Sequence, residues 1–269
     1  MIKMIVSDMD GTLLNSDKQL PHDFAEVYRM MQAAGIQFVV ASGRQYYTLV
    51  NEFKHLNHNI SFIAENGGFI NWQQQSKLTK ALKASDARDI IQTFRSLPGV
   101  NIVLCGKGGA YVENTESKAF IDEMSKYYVK HTVVDDLLSV DDDILKIAVN
   151  DFHNLEETVY PLAMEKHGDD YQISASSPIW LDVMPKGVNK GKAIRLLQDE
   201  MGIRPEETMA FGDYLNDLEM LQTVHHSYAM ANAHPLIKET ARFATDSNDN
   251  NGVMKAIRRQ LAEVEPGKE

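Results

Sequence analysis

The stretch Met4-Ile5-Val6-Ser7-Asp8-Met9-Asp10-Gly11-Thr12 decides how this chain reads. Residues Met1 to Ser7 form an apolar run rich in Ile, Met and Val, the pattern of a buried strand, and it stops at two carboxylates. In open α/β sheets ligands bind beyond the carboxyl ends of the strands, which is where Asp8 would lie. Two carboxylates this close repel each other unless a cation or a shared proton relieves them. A hard divalent ion such as Mg²⁺ does so, and its octahedral shell keeps places for phosphate oxygens and water. One carboxylate can then attack phosphorus while the other handles protons. Gly11 permits a tight turn and the Thr12 hydroxyl offers a donor. Taken alone, the pair describes an acidic turn capping a strand equally well.

Outward from this segment the chain alternates short apolar runs with helical periodicity. Phe24, Val27, Tyr28 and Met31 fall at helical spacing and Gly35 suits a stop. Strands are expected at Ile36 to Ala41 and Ser61 to Ala64, with a helix from Tyr46 to Phe53 between them and a turn at Glu65-Asn66-Gly67-Gly68. Continuous apolar strands separated by helices predict a parallel sheet covered on both faces. The middle of the chain differs. Helices starting near Ser85, Thr115 and Asn154 are mixed with short strands at Ile102 to Cys105, Ala110 to Glu113, Ile144 to Val149, Tyr171 to Ala175 and Trp180 to Met184. That mixture predicts an inserted α+β unit with an antiparallel sheet. Alternation returns with a helix at Lys190 to Met201, a strand at Thr208 to Phe211, a helix near Leu215 to Gln222 and short strands near Tyr228 and Phe243. The tail from Glu263 to Glu269 is expected to fray.

Three further segments bear on the acidic pair. Ser42-Gly43 ends the second strand, where a hydroxyl and free backbone N–H groups can hold a phosphate oxygen, although Ser-Gly turns are common. Lys190 opens a helix directly after Asn189, a good N-cap residue. A cation there faces the positive end of the helix dipole, an arrangement that a nearby anion reverses. A solvated lysine is the plainer reading. In Gly212-Asp213-Tyr214-Leu215-Asn216-Asp217, Asp213 can complete a metal site with Asp8 and the Asp10 carbonyl, Asn216 can donate to phosphate, and Asp217 can pair with Lys190. An acidic helix start explains the same residues.

Composition narrows the class. The chain has 269 residues, 43% of them apolar, enough for one large or two modest domains without disulfides. Its single cysteine, Cys105, fits a reducing compartment, and a cytoplasmic location is expected. The first apolar run begins too early for a signal peptide, and no apolar run approaches the roughly 18–20 residues of a bilayer span. A formal net charge of −11 argues against nucleic acid as partner. No membrane or protein partner is evident.

DMDGT at 8–12, SG at 42–43, the lysine of VNKGKA and GDYLND at 212–217 together resemble the four ordered motifs of the haloacid dehalogenase superfamily. The long insertion between the second and third motifs resembles the type-2 cap of its Cof-type branch. ASGRQYYTL and AENGG are similar to segments of bacterial sugar phosphatases. The likeness covers essentially the whole chain. It implies a Rossmann-like α/β core at 1–82 and 187–269 and an α+β cap at 83–186 that sets specificity. It further implies a Mg²⁺-dependent phosphomonoester hydrolase acting on a small phosphorylated metabolite such as a sugar phosphate. Asp8 would be the nucleophile and Asp10 the general acid and base. Met9 and Gly43 would supply backbone N–H donors, with Ser42, Lys190 and Asn216 holding phosphate. Asp8, Asp10 (through its carbonyl) and Asp213 would ligate the metal, supported by Thr12 and Asp217. Arg44 and Asn66, beside the phosphate segments, are candidate substrate contacts, as is the Gly106 to Gly109 turn. A sugar phosphomutase is the alternative, although only about thirty residues separate Asp10 from Ser42, too few for the mutase cap. A non-catalytic metabolite-binding module is a second alternative.

Overall fold

The computed structural model describes residues 1–56, 59–115 and 117–264; most of the tail expected to fray, from residue 265 on, lies outside them. The elements run β1 (Met4–Ser7), α1 (Phe24–Ala33), β2 (Gln37–Ala41), α2 (Tyr46–Glu52), β3 (Ser61–Ala64), β4 (Phe69–Trp72) and β5 (Gln75–Leu78). There follow α3 (Ala84–Arg95), β6 (Asn101–Gly106), β7 (Ala110–Glu113), α4 (Lys118–Met124), β8 (His131–Val134), β9 (Ile144–Asn150), α5 (Tyr160–His167), β10 (Tyr171–Ser177) and β11 (Trp180–Pro185). The chain continues through α6 (Lys190–Met201), β12 (Thr208–Gly212), α7 (Leu218–Thr223), β13 (His226–Ala229), α8 (Pro235–Thr240), β14 (Phe243–Ala244) and α9 (Gly252–Val264).

These strands make two sheets. The first has the order β14-β13-β12-β1-β2-β3-β4-β5. It is parallel from β14 to β3, and then two antiparallel edge strands, β4 and β5, extend it. The parallel sheet expected from the sequence is extended into a mixed one, because β4 is only four residues long and follows β3 within a turn, and β5 is polar and exposed and leaves no apolar run to read. The second sheet has the order β10-β11-β9-β6-β7-β8 and is antiparallel except for the β7–β8 pair. Among the described residues no helix is long and apolar enough to cross a membrane.

Side-chain alternation explains both faces of the second sheet. Ile102, Leu104, Ile147, Val149, Leu181 and Val183 point toward α3 and α5 and form one apolar cluster with Ile90, Ile91 and Phe94. Val103, Cys105, Ala148 and Trp180 point the other way, into a cluster with Phe120, Met124 and Tyr128. Lys146 and Asp182 share the parity of Ala148 and Trp180, so two charged side chains lie on that second face.

In the first sheet the central register brings three strand ends together. Ser7 pairs with Phe211 of β12 on one side and with Val40 of β2 on the other. Asp8, Ser42 and Asp213, each just beyond or near its strand's end, therefore emerge side by side at the carboxyl edge.

Candidate active site

At that edge lies a cavity of about 220 Å³. Asp8, Asp10, Ser42, Gly43, Asp213 and Asn216 line it from the strand ends of the first sheet, Lys146, Trp180 and Asp182 from the second, Tyr127 and Tyr128 from the loop between α4 and β8, and Ser176, Ser177 and Pro178 from the end of β10.

Lys190 is fully buried at the start of α6, whose first turn is capped by the Asn189 side chain accepting from the Lys192 N–H at 2.8 Å. Its ammonium donates to Asp8 Oδ1 and to Asp217 Oδ1, both at 2.6 Å. These anions offset the unfavourable placement of a cation at a helix N-terminus. The other Asp217 oxygen accepts from the Asp213 and Tyr214 N–H groups, which pins the loop after β12. Thr12 donates to Asp213 at 2.7 Å. Gly11 has φ +78°, and a Cβ there would stand 2.3 Å from an Asp213 oxygen, so glycine is required both for the turn and for the approach.

One oxygen each from Asp8, Asp213 and Asp217 lie within 4.8 Å of one another. Three carboxylates against one ammonium leave two negative charges uncompensated in a buried place. Burial, helped by Asp217 and Asp10, pushes the Asp8 carboxyl up to about 7 against the pull of Lys190. Burial and Asp8 push Asp213 well above the carboxylate range. This donor set, all oxygen and two charges in excess, fits a hard divalent cation such as Mg²⁺.

Asp10 has the opposite setting, although it is only two residues from Asp8. Its oxygens accept from Arg44 Nε and Nη2 at 2.6 and 2.7 Å, and from Lys18 at 2.7 Å. Those cations outweigh burial, the largest single influence, and hold its carboxyl below the usual range. Arg44 also lies over the Tyr127 ring, 5.4 Å from its centroid. Lys18 was not marked by the sequence; nothing in its local pattern separates it from other loop lysines.

The remaining expected residues divide. Ser42 Oγ accepts from the Arg44 N–H at 3.1 Å, which leaves its hydroxyl hydrogen to donate into the cavity. Met9 buries its side chain completely, so only its backbone is available. Arg44 lines the cavity, but its guanidinium is engaged with Asp10. Asn66, a candidate substrate contact from sequence, is 1% exposed and does not line the cavity. Its amide is taken up by Asp182 and by Asn216 Nδ2. The Gly106 to Gly109 turn does not line it either; the Gly108 N–H donates to Asp142. Lys146, Asp182 and Glu65 were missed, although a lysine inside Ile144-Leu145-Lys146-Ile147 and an aspartate inside Trp180-Leu181-Asp182-Val183 are signals in themselves, since charges are seldom fully buried unpaired.

The model of haloacid dehalogenase-like hydrolases matches residues 5–257. The chain belongs to that family. It is a Cof-type phosphatase within it. It is 33% identical over 266 residues to an Escherichia coli K12 protein, 5-amino-6-(5-phospho-D-ribitylamino)uracil phosphatase YbjI, with 98% of each chain covered. It is 29% identical to the Bacillus subtilis 168 phosphatase YcsE, named for the same compound, over 96% of this chain and 95% of the relative. Among solved structures, SMU.1108c from Streptococcus mutans UA159 superposes with a TM-score of 0.91 at 29% identity, covering 97% of this chain and all of that one. The mixed sheet and the second sheet between its halves are thus shared with that solved structure.

Proposed function

We propose that this hydrolase cleaves phosphomonoesters of small metabolites through a phospho-aspartate on Asp8, with Mg²⁺ as cofactor. The observation that carries the reading is Asp8 on the cavity lining, one oxygen held by Lys190 and the carboxylate flanked by Asp213. Residues 1–82 and 187–269 form the catalytic core in this reading, and residues 83–186 the cap that selects substrate.

Phosphoryl transfer chiefly requires alignment and neutralisation of charge on the phosphoryl oxygens. Mg²⁺, held by the Asp8 and Asp213 carboxylates and the Asp10 carbonyl, would supply much of that positive charge. Lys190 orients the nucleophile by fixing one Asp8 oxygen. Ser42, Asn216 and the N–H groups of Met9 and Gly43 hold the phosphoryl oxygens. The other Asp8 oxygen forms a bond to phosphorus as the bond to the ester oxygen breaks, and Asp10 gives that oxygen its proton. Water then attacks the aspartyl phosphate, Asp10 takes the proton back, and the Asp8–phosphorus bond breaks. One ester and one water become one alcohol and one inorganic phosphate. Arg44 and Lys18 oppose protonation of Asp10 while they pair with it. An entering phosphate dianion competes for both cations and frees Asp10 to act as an acid.

Tyr127, Tyr128 and Trp180 offer the substrate an aromatic wall opposite the carboxylates. Such a wall suits a phosphorylated sugar or polyol that carries an apolar or planar group. Phosphorylated ribitylaminouracil, for which two relatives are named, is of that kind. The test is phosphate release across sugar phosphates, nucleotides and ribitylaminouracil phosphate, with Mg²⁺ and with EDTA. Turnover that persists in Asp8→Asn would refute the mechanism.

A further inference from the structure

The buried charges between the two sheets are not used by the chemistry above. Lys146 on β9 is 1% exposed, and its ammonium donates to the Gly43 carbonyl at 2.6 Å. It also lies 3.1 Å from Glu65 and 3.2 Å from Asp182. Asp182 on β11, equally buried, accepts from Asn66 Nδ2 with its other oxygen. Asn66 in turn accepts from Asn216 Nδ2 at 3.1 Å, and its backbone N–H donates to the Ser42 carbonyl.

Buried ion pairs gain little over apolar packing, so net stability is a poor reason for this one. What it touches is more telling. The Gly43 carbonyl and the Arg44 N–H belong to one peptide unit. Lys146 holds the carbonyl end and Ser42 Oγ holds the N–H end, which fixes both the peptide and the serine hydroxyl. Glu65 and Asn66 have φ of +50° and +51°, a left-handed conformation that non-glycine residues seldom adopt. The contacts restraining those two side chains include Lys146 and Asp182, both on the second sheet. Gly67, at φ +101°, lets this turn approach the Asn189 backbone ahead of Lys190; a Cβ would stand 2.4 Å from the Asn189 oxygen.

We infer that Lys146 and Asp182 are positioning residues through which the second sheet sets the phosphate-holding groups of the first: Lys146 sets the Gly43 peptide and Ser42, and Asp182 sets Asn216 through Asn66. This rests on the phosphatase reading above. The phosphate cradle is complete only while the two sheets are docked, so the half of the molecule that selects the substrate also assembles the half that transforms it.

The test is steady-state kinetics with an aryl phosphate, together with inhibition by inorganic phosphate, which needs the cradle but not the aromatic wall. Asp182→Ala is expected to lower kcat and to weaken phosphate inhibition, each by about 10- to 100-fold, because misplacement of about 1 Å far from the chemistry has effects of that size. Asn66→Asp sets two carboxylates against each other and is expected to do the same. The double variant Asn66→Asp/Asp182→Asn restores a donor–acceptor pair at the same net charge and is expected to recover most of both losses. A merely structural role would lower the melting temperature without changing phosphate inhibition in the folded fraction. Unaltered kcat and phosphate inhibition in folded Asp182→Ala, or no recovery in the double variant, would overturn the inference. Asp8→Asn serves as control: if it stays active the phosphatase reading fails, and if it is inactive while the Asp182 variants behave as wild type, only this inference fails.

Discussion

The two sides of the cavity are built differently. The side from the first sheet is a set of charges at strand ends, with Asp8, Asp213 and Asp217 around Lys190 and Asp10 turned to Arg44 and Lys18. The side from the second sheet is aromatic, with Tyr127, Tyr128 and Trp180 in edge-to-face contact and the buried Lys146–Asp182 pair beneath. Charges fixed at the ends of hydrogen-bonded strands cannot drift, which suits groups that must meet a reacting phosphorus. Rings on β11 and on the loop before β8 carry no charge to bring to phosphorus, which suits groups that choose among substrates. On the proposed reading the reacting groups belong to the first side and the substrate-facing rings to the second, and each prediction below tries to break that assignment.

The largest effect is expected at Asp8. Asp8→Asn should lower phosphate release by about 10⁴-fold or more, since in the proposed mechanism the covalent intermediate forms on this carboxylate. Its melting temperature should hold or rise, because the change removes one of three crowded carboxylates. Asp10→Asn should cost about 10²- to 10⁴-fold, the usual range for a general acid–base. That loss should fall on kcat rather than on KM.

Metal linkage gives a smaller, signed effect. Burial pushes the Asp8 carboxyl up to about 7 in the folded chain, against roughly 3.9 for a free aspartate. Between those values the folded state holds a proton that the unfolded state lacks, so stability without metal falls as pH rises through the window and levels off above it. Mg²⁺ needs the ionised carboxylates. Adding it should therefore raise the melting temperature more near about pH 8 than near about pH 5. An equal rise at both values would separate the metal from this cluster. The smallest effect is expected on the wall: Trp180→Ala should raise KM about tenfold or less and leave kcat and phosphate inhibition nearly unchanged.

The same division governs what could be read from the sequence. Strands β1, β2, β3 and β12 were legible because each is a continuous apolar run that stops at a turn, and their ends carry Asp8, Ser42 and Asp213. Helix α6 was legible to the residue from its Asn189 cap and Gly202 stop, where φ is +63°. Strands β5 and β8 were not, since Gln75–Leu78 and His131–Val134 are exposed edges with no periodic signal, and β4 was not because its four residues, Phe69–Trp72, follow the turn after β3 too closely to stand out as a run. The roles of Lys146 and Asp182 were also invisible. Their strands were expected, but their partners at Gly43, Glu65 and Asn66 are far away in sequence, and only the docking of two sheets brings them together. For Asn66 the sequence pointed to the right neighbourhood, yet burial gives it protein partners rather than a cavity face.

The central claim is that Asp8 itself becomes phosphorylated. Acid quenching during turnover of a phosphomonoester with Mg²⁺, followed by peptide mass mapping, tests it directly. Phosphate is expected on the peptide carrying Asp8, as a hydroxylamine-sensitive acyl phosphate that disappears once substrate is exhausted and is absent from Asp8→Asn. Phosphate bound to any other residue, or continued phosphate release with no covalent phosphate at any quench time in Asp10→Asn, whose dephosphorylation is slowed, would contradict the account.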